Sequence, residues 1–174
     1  VKLTGGQITT TGDRAIGVYA EHQLADGDTG IDLGNNMAVF TNGDAAHGLW
    51  AEGNLSSILA GNGLLVKTTG DQTFGLAANN AGILRLGTVD VTTEGGSSSA
   101  VAAFDGGLIQ MSGGRLVSRV SGTQPGTVIQ ASGTSANLGR VEAEGQFSIF
   151  GDVVANDYGP VSLKLDDGSF FQGS

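Results

Sequence analysis

Apolar side chains along this chain alternate with polar ones over short runs, and the runs return at a nearly constant distance. Ile16, Val18 and Ala20 form one such run, and Val66 and Thr68 belong to another. Alternation at period two puts one set of side chains on one face of a β-strand, whereas a helix would space its apolar residues by three and four over ten or more positions. Glycines and Asn-Gly or Asn-Asn pairs punctuate the runs every few residues, which predicts turns between short strands. Aligning the runs exposes an internal repeat: ITTTGDRAIGVYAE from Ile8, VFTNGDAAHGLWAE from Val39, VKTTGDQTFGLAAN from Val66, VTTEGGSSSAVAAF from Val91 and, more loosely, VSRVSGTQPGTVIQ from Val117. Anchored on Gly12, Gly43, Gly70, Gly95 and Gly122, the units are spaced by 31, 27, 25 and 27 residues, so turns of varying length separate constant strands.

Five residues after each anchor a small residue precedes an apolar one: Gly17-Val18, Gly48-Leu49, Gly75-Leu76, Ala100-Val101 and Thr127-Val128. Upstream, a second strand signature recurs as Val1-x-Leu3, Ile31-x-Leu33, Ile58-x-Ala60, Leu84-x-Leu86 and Ile109-x-Met111, with Ala136-x-Leu138 as a weaker sixth copy. Short strands that cannot bury a face singly do so by stacking on their counterparts one coil along. Three strands per unit predict an all-β chain, a right-handed single-stranded parallel β-helix of three sheets and about six coils, roughly 30 Å long at about 4.8 Å per coil. Residues 1–174 are expected to form a single β-helix fragment of a longer protein. Val18, Leu49, Leu76, Val101 and Val128 are the expected aliphatic column, and Ala20, Ala51, Ala78 and Ala103 a second one at a tight corner. After Leu138 the pattern loosens through Val141-x-Ala143 and Phe147-x-Ile149, and the alternating segment from Val161 to Leu165 implies another strand and turn.

Composition sharpens this picture. With 31 glycines and only 2 prolines, the chain is rich in tight turns and is neither collagen-like nor a proline-rich linker. Its 17 acidic and 8 basic residues give a net charge of −9, and no basic cluster is present, which excludes a phosphate-reading surface and therefore nucleic acid. The absence of cysteine removes disulfides, thiolate zinc sites and cysteine nucleophiles. No apolar run of about 18 residues is present, so no membrane-spanning segment is expected in this stretch.

Several residue groups invite chemistry. Asp13, Asp44 and Asp71 follow the anchor glycines and should stack at a corner; a carboxylate column could bind Ca²⁺ or act as an acid pair, but Gly-Asp is first of all turn chemistry. Asp26, Asp28 and Asp32 are spaced like a calcium loop yet lack its Glu and Gly, and read as an acidic turn insertion. His47 occupies the column of Ile16 and Phe74, which makes it a partly buried or corner histidine, and with His22 the only other one there are too few ligands for zinc. Ser97, Ser98 and Ser99 lack the Gly-x-Ser-x-Gly elbow of a hydrolase. Asn35-Asn36 and Asn79-Asn80 read as stacked turn amides. No catalytic, cofactor or metal residue is therefore assigned. Tyr19 and Trp50 sit at equivalent outward positions on neighbouring coils; because Ala77 and Ala102 continue that column without rings, simple surface packing is the first reading, and the pair are the candidate surface contacts on the second.

The repeat Thr-x-Gly-Asp-x-x-x-Gly-[Val/Leu]-x-Ala, at Thr10 to Ala20, Thr41 to Ala51 and Thr68 to Ala78, resembles the coil motif of the pertactin-like passenger domains of Gram-negative autotransporters. Gly151-Asp152-Val153-Val154 followed by the alternating strand from Val161, the aromatic pair Phe170-Phe171 and Gly173 is similar to the family's C-terminal passenger stretch, with Phe171-Gln172-Gly173 where the family usually has Trp-Thr-Gly. The resemblance implies a piece of a passenger displayed at the bacterial cell surface or secreted, with a C-terminal translocator barrel in the full-length protein. It implies a non-enzymatic adhesin or structural stalk whose partner is a host-cell surface, an extracellular-matrix protein or passengers on sister cells. The alternative on the same scaffold is a polysaccharide-processing enzyme, a lyase or glycoside hydrolase.

Overall fold

The structure, a computed structural model, describes residues 1–22 and 29–174. Among the described residues there is no helix. The chain winds through β1 (Gly6–Thr11), β2 (Val18–Glu21) and β3 (Thr29–Asp32), then β4 (Met37–Asn42), β5 (Leu49–Glu52) and β6 (Ser56–Ala60). The third and fourth coils are β7 (Leu64–Thr69), β8 (Phe74–Asn79), β9 (Ile83–Leu86), β10 (Val89–Glu94), β11 (Ser99–Phe104) and β12 (Leu108–Met111). The fifth holds β13 (Gly114–Ser121), the short β14 (Gln124–Pro125), β15 (Thr127–Ser132) and β16 (Arg140–Gly145). β17 (Phe147–Phe150), β18 (Asp152–Ala155) and β19 (Val161–Leu165) make a sixth, and β20 (Phe170–Gln172) stacks beyond it.

Each strand pairs in parallel with its counterpart one coil along. Sheet 1 runs β1-β4-β7-β10-β13-β17-β20, sheet 2 runs β2-β5-β8-β11-β15-β18, and sheet 3 runs β3-β6-β9-β12-β16-β19. β14 alone pairs antiparallel, folding back on β13 as a hairpin. The protein is a parallel β-helix of three sheets and about six coils.

The expected columns line the interior, with corrections late in the chain. In sheet 2 the ladder joins Val18, Leu49, Leu76 and Val101 and continues to Ile129, so Val128 is not the fifth member. Val128 is buried in the column of Ala100, where earlier coils have Gly48 and Gly75. The alanine column runs Ala20, Ala51, Ala78, Ala103 and on to Ala131. In sheet 3 the partners of Ile109 and Met111 are Val141 and Ala143, so Ala136-x-Leu138 is not the sixth copy; Leu138 is exposed between β15 and β16. Gly122 is not an anchor either, because Gly95 donates its N–H to the Arg119 carbonyl and Gly122 lies at the tip of the β13–β14 hairpin. In sheet 1 the ladder runs Ile8, Val39, Val66, Val91, Leu116, Ile149, Phe171, so the coils advance 31, 27, 25, 25, 33 and 22 residues.

Two corners explain why the repeat has its spelling. After sheet 1, Gly43, Gly70 and Gly95 have φ of 140°, 126° and 146°, and each lies against the carbonyl of the anchor glycine one coil earlier, leaving no room for a Cβ. Inward of that corner, Thr41, Thr68, Thr93 and Ser118 form a buried hydroxyl column, and the Thr73 hydroxyl bonds that of Thr68 at 3.0 Å and that of Ser98 at 3.1 Å. After sheet 2, Gly82, Gly107 and Gly159 press on the backbone carbonyls of Ala51, Ala78 and Ala131, and Gly139 on those of Ala103 and Ser132.

Candidate functional site

Sheet 2 faces outward with a surface unlike those of the other two. Its strands start with a double inward step: a Cβ on Gly17, Gly48 or Gly75 would strike the Cγ1 of Val39, Val66 or Val91 across the core, and the next residue, Val18, Leu49 or Leu76, also points inward. The residue before the glycine is thereby turned outward, onto the same face as the residue two beyond it. His47 and Trp50, and likewise Phe74 and Ala77, end up side by side outside the sheet.

The outward row of sheet 2 reads Tyr19, Trp50, Ala77, Ala102, Gln130, Val154. Both sequence candidates are on it, in register as neighbours, with Tyr19 41% exposed and Trp50 half-buried. Ala77 and Ala102 have no exposed surface, yet they do not belong to the interior cluster. The reason is ring cover. Phe74 starts β8 and Phe104 ends β11, at opposite ends of adjacent strands, but their ring centroids are 5.4 Å apart in an edge-on arrangement. Both rings therefore lean across the alanine row, and only small residues fit beneath them. His47 stacks on Phe74 at 5.1 Å and 15°, and lies 4.5 Å from Trp50. His47 and Phe74 are members of this cluster that alternation alone does not identify, since it puts them out of phase with Tyr19 and Trp50, whereas Phe104 is in phase with Ala102 two residues before it.

Electrostatics set the cluster apart as well. His47 is only 9% exposed, and its Nδ1 accepts the Phe74 backbone N–H at 3.1 Å, so the ring is neutral with its proton on Nε2. Burial lowers its pKa to about 4. The Tyr19 hydroxyl donates to Glu52 Oε2 at 3.2 Å; burial, followed by the carboxylates of Glu21 and Glu52, holds it above the ordinary tyrosine range. Glu52 also accepts from Asn79 and Asn80 Nδ2 at 3.3 and 3.4 Å. These donors are all neutral. No strand of sheet 2 contains a lysine or arginine, while Glu21, Glu52 and Asp152 are on it. Ion pairs lie on the other sheets: Lys67–Glu94 and Arg115–Asp90 on sheet 1, and Lys2–Asp32, Arg140–Glu142 and Lys164–Glu144 on sheet 3.

The remaining sequence candidates are occupied by the backbone. Asp13 Oδ1 accepts the N–H of Asp44 at 3.0 Å, Asp44 Oδ1 that of Asp71 at 2.9 Å, and Asp71 Oδ1 that of Gly96 at 2.6 Å. The turn role holds, but across coils and not within one turn. Asn35 Oδ1 caps the N–H of Asn62, and Asn62 Oδ1 that of Thr88, in the same manner. Asn79 and Asn80 instead serve Glu52. Ser98 and Ser99 are buried. Asp32 bonds the Gly34 N–H and pairs with Lys2, which keep its carboxyl below the usual range, while Asp26 and Asp28 lie outside the described residues. Among the described residues no three His, Cys, Asp or Glu side chains are grouped to hold a metal ion, and no helix is long and apolar enough to cross a membrane. A groove of about 230 Å³ beside the β13–β14 hairpin, lined by Arg119, Thr123, Pro125, Phe150 and Gln172 among others, contains no carboxylate.

Fold and face together define a solenoid with an aromatic, base-free outer sheet. No protein-family model, curated protein or solved structure matches the chain.

Proposed function

We propose that this chain is a non-enzymatic, surface-displayed stalk and adhesion module of the autotransporter passenger type, and that it makes contact through the outer face of sheet 2. The observation that carries this reading is the cluster of Tyr19, Trp50, Phe74 and Phe104 outside the rod, on a protein whose interior columns are already complete. Aromatic side chains held at a rigid surface are the usual anchors of protein contacts, because they offer area with little conformational entropy to lose. Parallel stacking supports the stalk role, since each added coil extends the rod without altering the last. The resemblance of the Thr-x-Gly-Asp repeat to passenger coils supports export to the cell surface of a Gram-negative bacterium, with host cells, matrix proteins or passengers on sister cells as partners.

The test is saturable binding of the purified chain to host cells, to immobilised matrix proteins and to itself, with a Tyr19→Ala/Trp50→Ala double variant beside it. Binding that the double variant loses supports the reading; no binding to any of the three overturns it. Release of new reducing ends from pectin or capsular polysaccharide would move the assignment to the enzymatic class.

A further inference from the structure

We infer that the outer face of sheet 2 over the first three coils is a docking site for arginine or lysine side chains on an exposed segment of a partner protein. This deepens the adhesive reading and rests on it. Charge complementarity comes first. The six strands of the sheet contain no base, while Glu52 stands beside Tyr19 and Trp50. Glu52 is surrounded by donors, yet the phenol of Tyr19 and the amides of Asn79 and Asn80 are neutral and leave its charge in place. The acids of sheets 1 and 3, by contrast, include five whose charge is cancelled by a lysine or arginine.

Ring chemistry comes second. A cation over the face of Trp or Tyr is attracted by the ring quadrupole, and a guanidinium can stack on the ring while bonding a carboxylate at its edge. Tyr19 and Trp50 are in register on adjacent strands, and Glu52 lies two residues beyond Trp50 on the same outward face and bonds the Tyr19 hydroxyl. Ring and carboxylate are thus within one side chain's reach. Ring contacts hold Trp50 in place, with His47 4.5 Å and Phe74 6.2 Å away between centroids, and its indole Nε1 is buried without a hydrogen-bond partner. Anionic partners, including phosphates, sulfated sugars and a second copy of this acidic face, are repelled.

Trp50 is the chain's single tryptophan, so its emission reports directly on this face. The probe is an unstructured Gly-Ser peptide carrying four arginines, compared with the same peptide carrying four citrullines, which keep the shape and lose the charge. The arginine peptide is expected to change Trp50 emission saturably and the citrulline peptide to leave it unchanged. Glu52→Gln, which keeps an acceptor at its carbonyl oxygen, should weaken binding by about tenfold in calorimetry, and Tyr19→Leu, which keeps the charge, by about threefold or more. Glu142→Gln and Asp90→Asn make the same charge change on sheets 3 and 1 and should leave affinity within about twofold. Equal loss in all the carboxylate variants, or equal binding of the citrulline peptide, overturns the site. So does neutral-oligosaccharide binding that Glu52→Gln leaves intact. If the chain binds cells or matrix and Glu52→Gln has no effect on that binding, the adhesive reading stands and the cationic site falls; if neither cells, matrix nor peptide binds, both fall.

Discussion

Sheets 2 and 3 are stacked at the same pitch by the same backbone ladder, so each presents an outward row in which every side chain has a neighbour roughly 5 Å above and below. On sheet 3 the row satisfies itself: Lys2 pairs with Asp32 at 3.5 Å, Arg85 donates to Gln110 at 3.1 Å, Gln110 donates to Glu142 at 2.8 Å, and Arg140 pairs with Glu142 at 3.3 Å. On sheet 2 the row holds rings and alanines, with Glu52 meeting only the neutral donors of Tyr19, Asn79 and Asn80. The difference shows what a solenoid surface can do. Vertical neighbours of opposite charge close a face, whereas aromatic neighbours beside a carboxylate bonded only by neutral donors leave it with something to offer a partner.

The sharpest way to break this contrast is to place a lysine on each row. Ala77→Lys drives a long charged side chain beneath the rings of Phe74 and Phe104, and should lower stability to urea unfolding by about 2–4 kcal/mol. Leu59→Lys, at an exposed position on sheet 3, should change it by less than about 0.5 kcal/mol. Equal effects would mean that the rings do not cover the alanine row.

Acid provides the next contrast. Unfolded His47 takes up a proton near its ordinary pKa of 6.5, whereas the folded ring resists protonation until about pH 4. Above pH 6.5 both states are neutral and stability is flat with respect to this group; between 6.5 and about 4 only the unfolded chain gains the proton, so the native state loses on the order of 3 kcal/mol, and below that the effect levels off. Denaturant midpoints measured across this window should fall in the wild type. They should fall less in His47→Phe, which places in coil two the residue that coil three already uses at Phe74. Sheet 3 contains no histidine.

These contrasts also mark where sequence reading succeeds and where it stops. The inner columns of the first four coils are legible because each turn has a fixed spelling and the register depends only on counting from it. Counting fails at the fifth coil. There the β13–β14 hairpin inserts residues at the corner, so Gly122 falls on the hairpin tip and the column passes to Ile129 instead of Val128. A better guide was present in the second corner: Gly82-x-Leu84, Gly107-x-Ile109, Gly139-x-Val141 and Gly159-x-Val161 share one spacing, because each glycine packs on a carbonyl one coil earlier. That signal places Val141-x-Ala143 in sheet 3 and rules out Ala136-x-Leu138. The outer cluster was half legible. Alternation finds Tyr19 and Trp50, but the double inward step at Gly17, Gly48 and Gly75 breaks the alternation and hides His47 and Phe74, while Phe104 arrives from the far end of its strand.

Removing one side chain from each row tests whether the contrast is energetic as well as chemical. Phe104→Ala takes away a ring packed on Phe74 and uncovers Ala102, and should lower stability by about 1–2 kcal/mol in a manner independent of salt.

The smallest effect belongs to the row that already satisfies itself. Gln110 bonds Arg85 on one side and Glu142 on the other, so Gln110→Ala breaks the middle of the sheet 3 ladder. Both partners remain at the surface, where water replaces the lost bonds, and the cost should be only about 0.5 kcal/mol, shrinking between 0.1 and 1 M salt. A loss comparable to that of Phe104→Ala would mean that the polar ladder, and not the aromatic cover, is the stronger of the two surfaces. The separation between a closed face and an open one would then have to be redrawn.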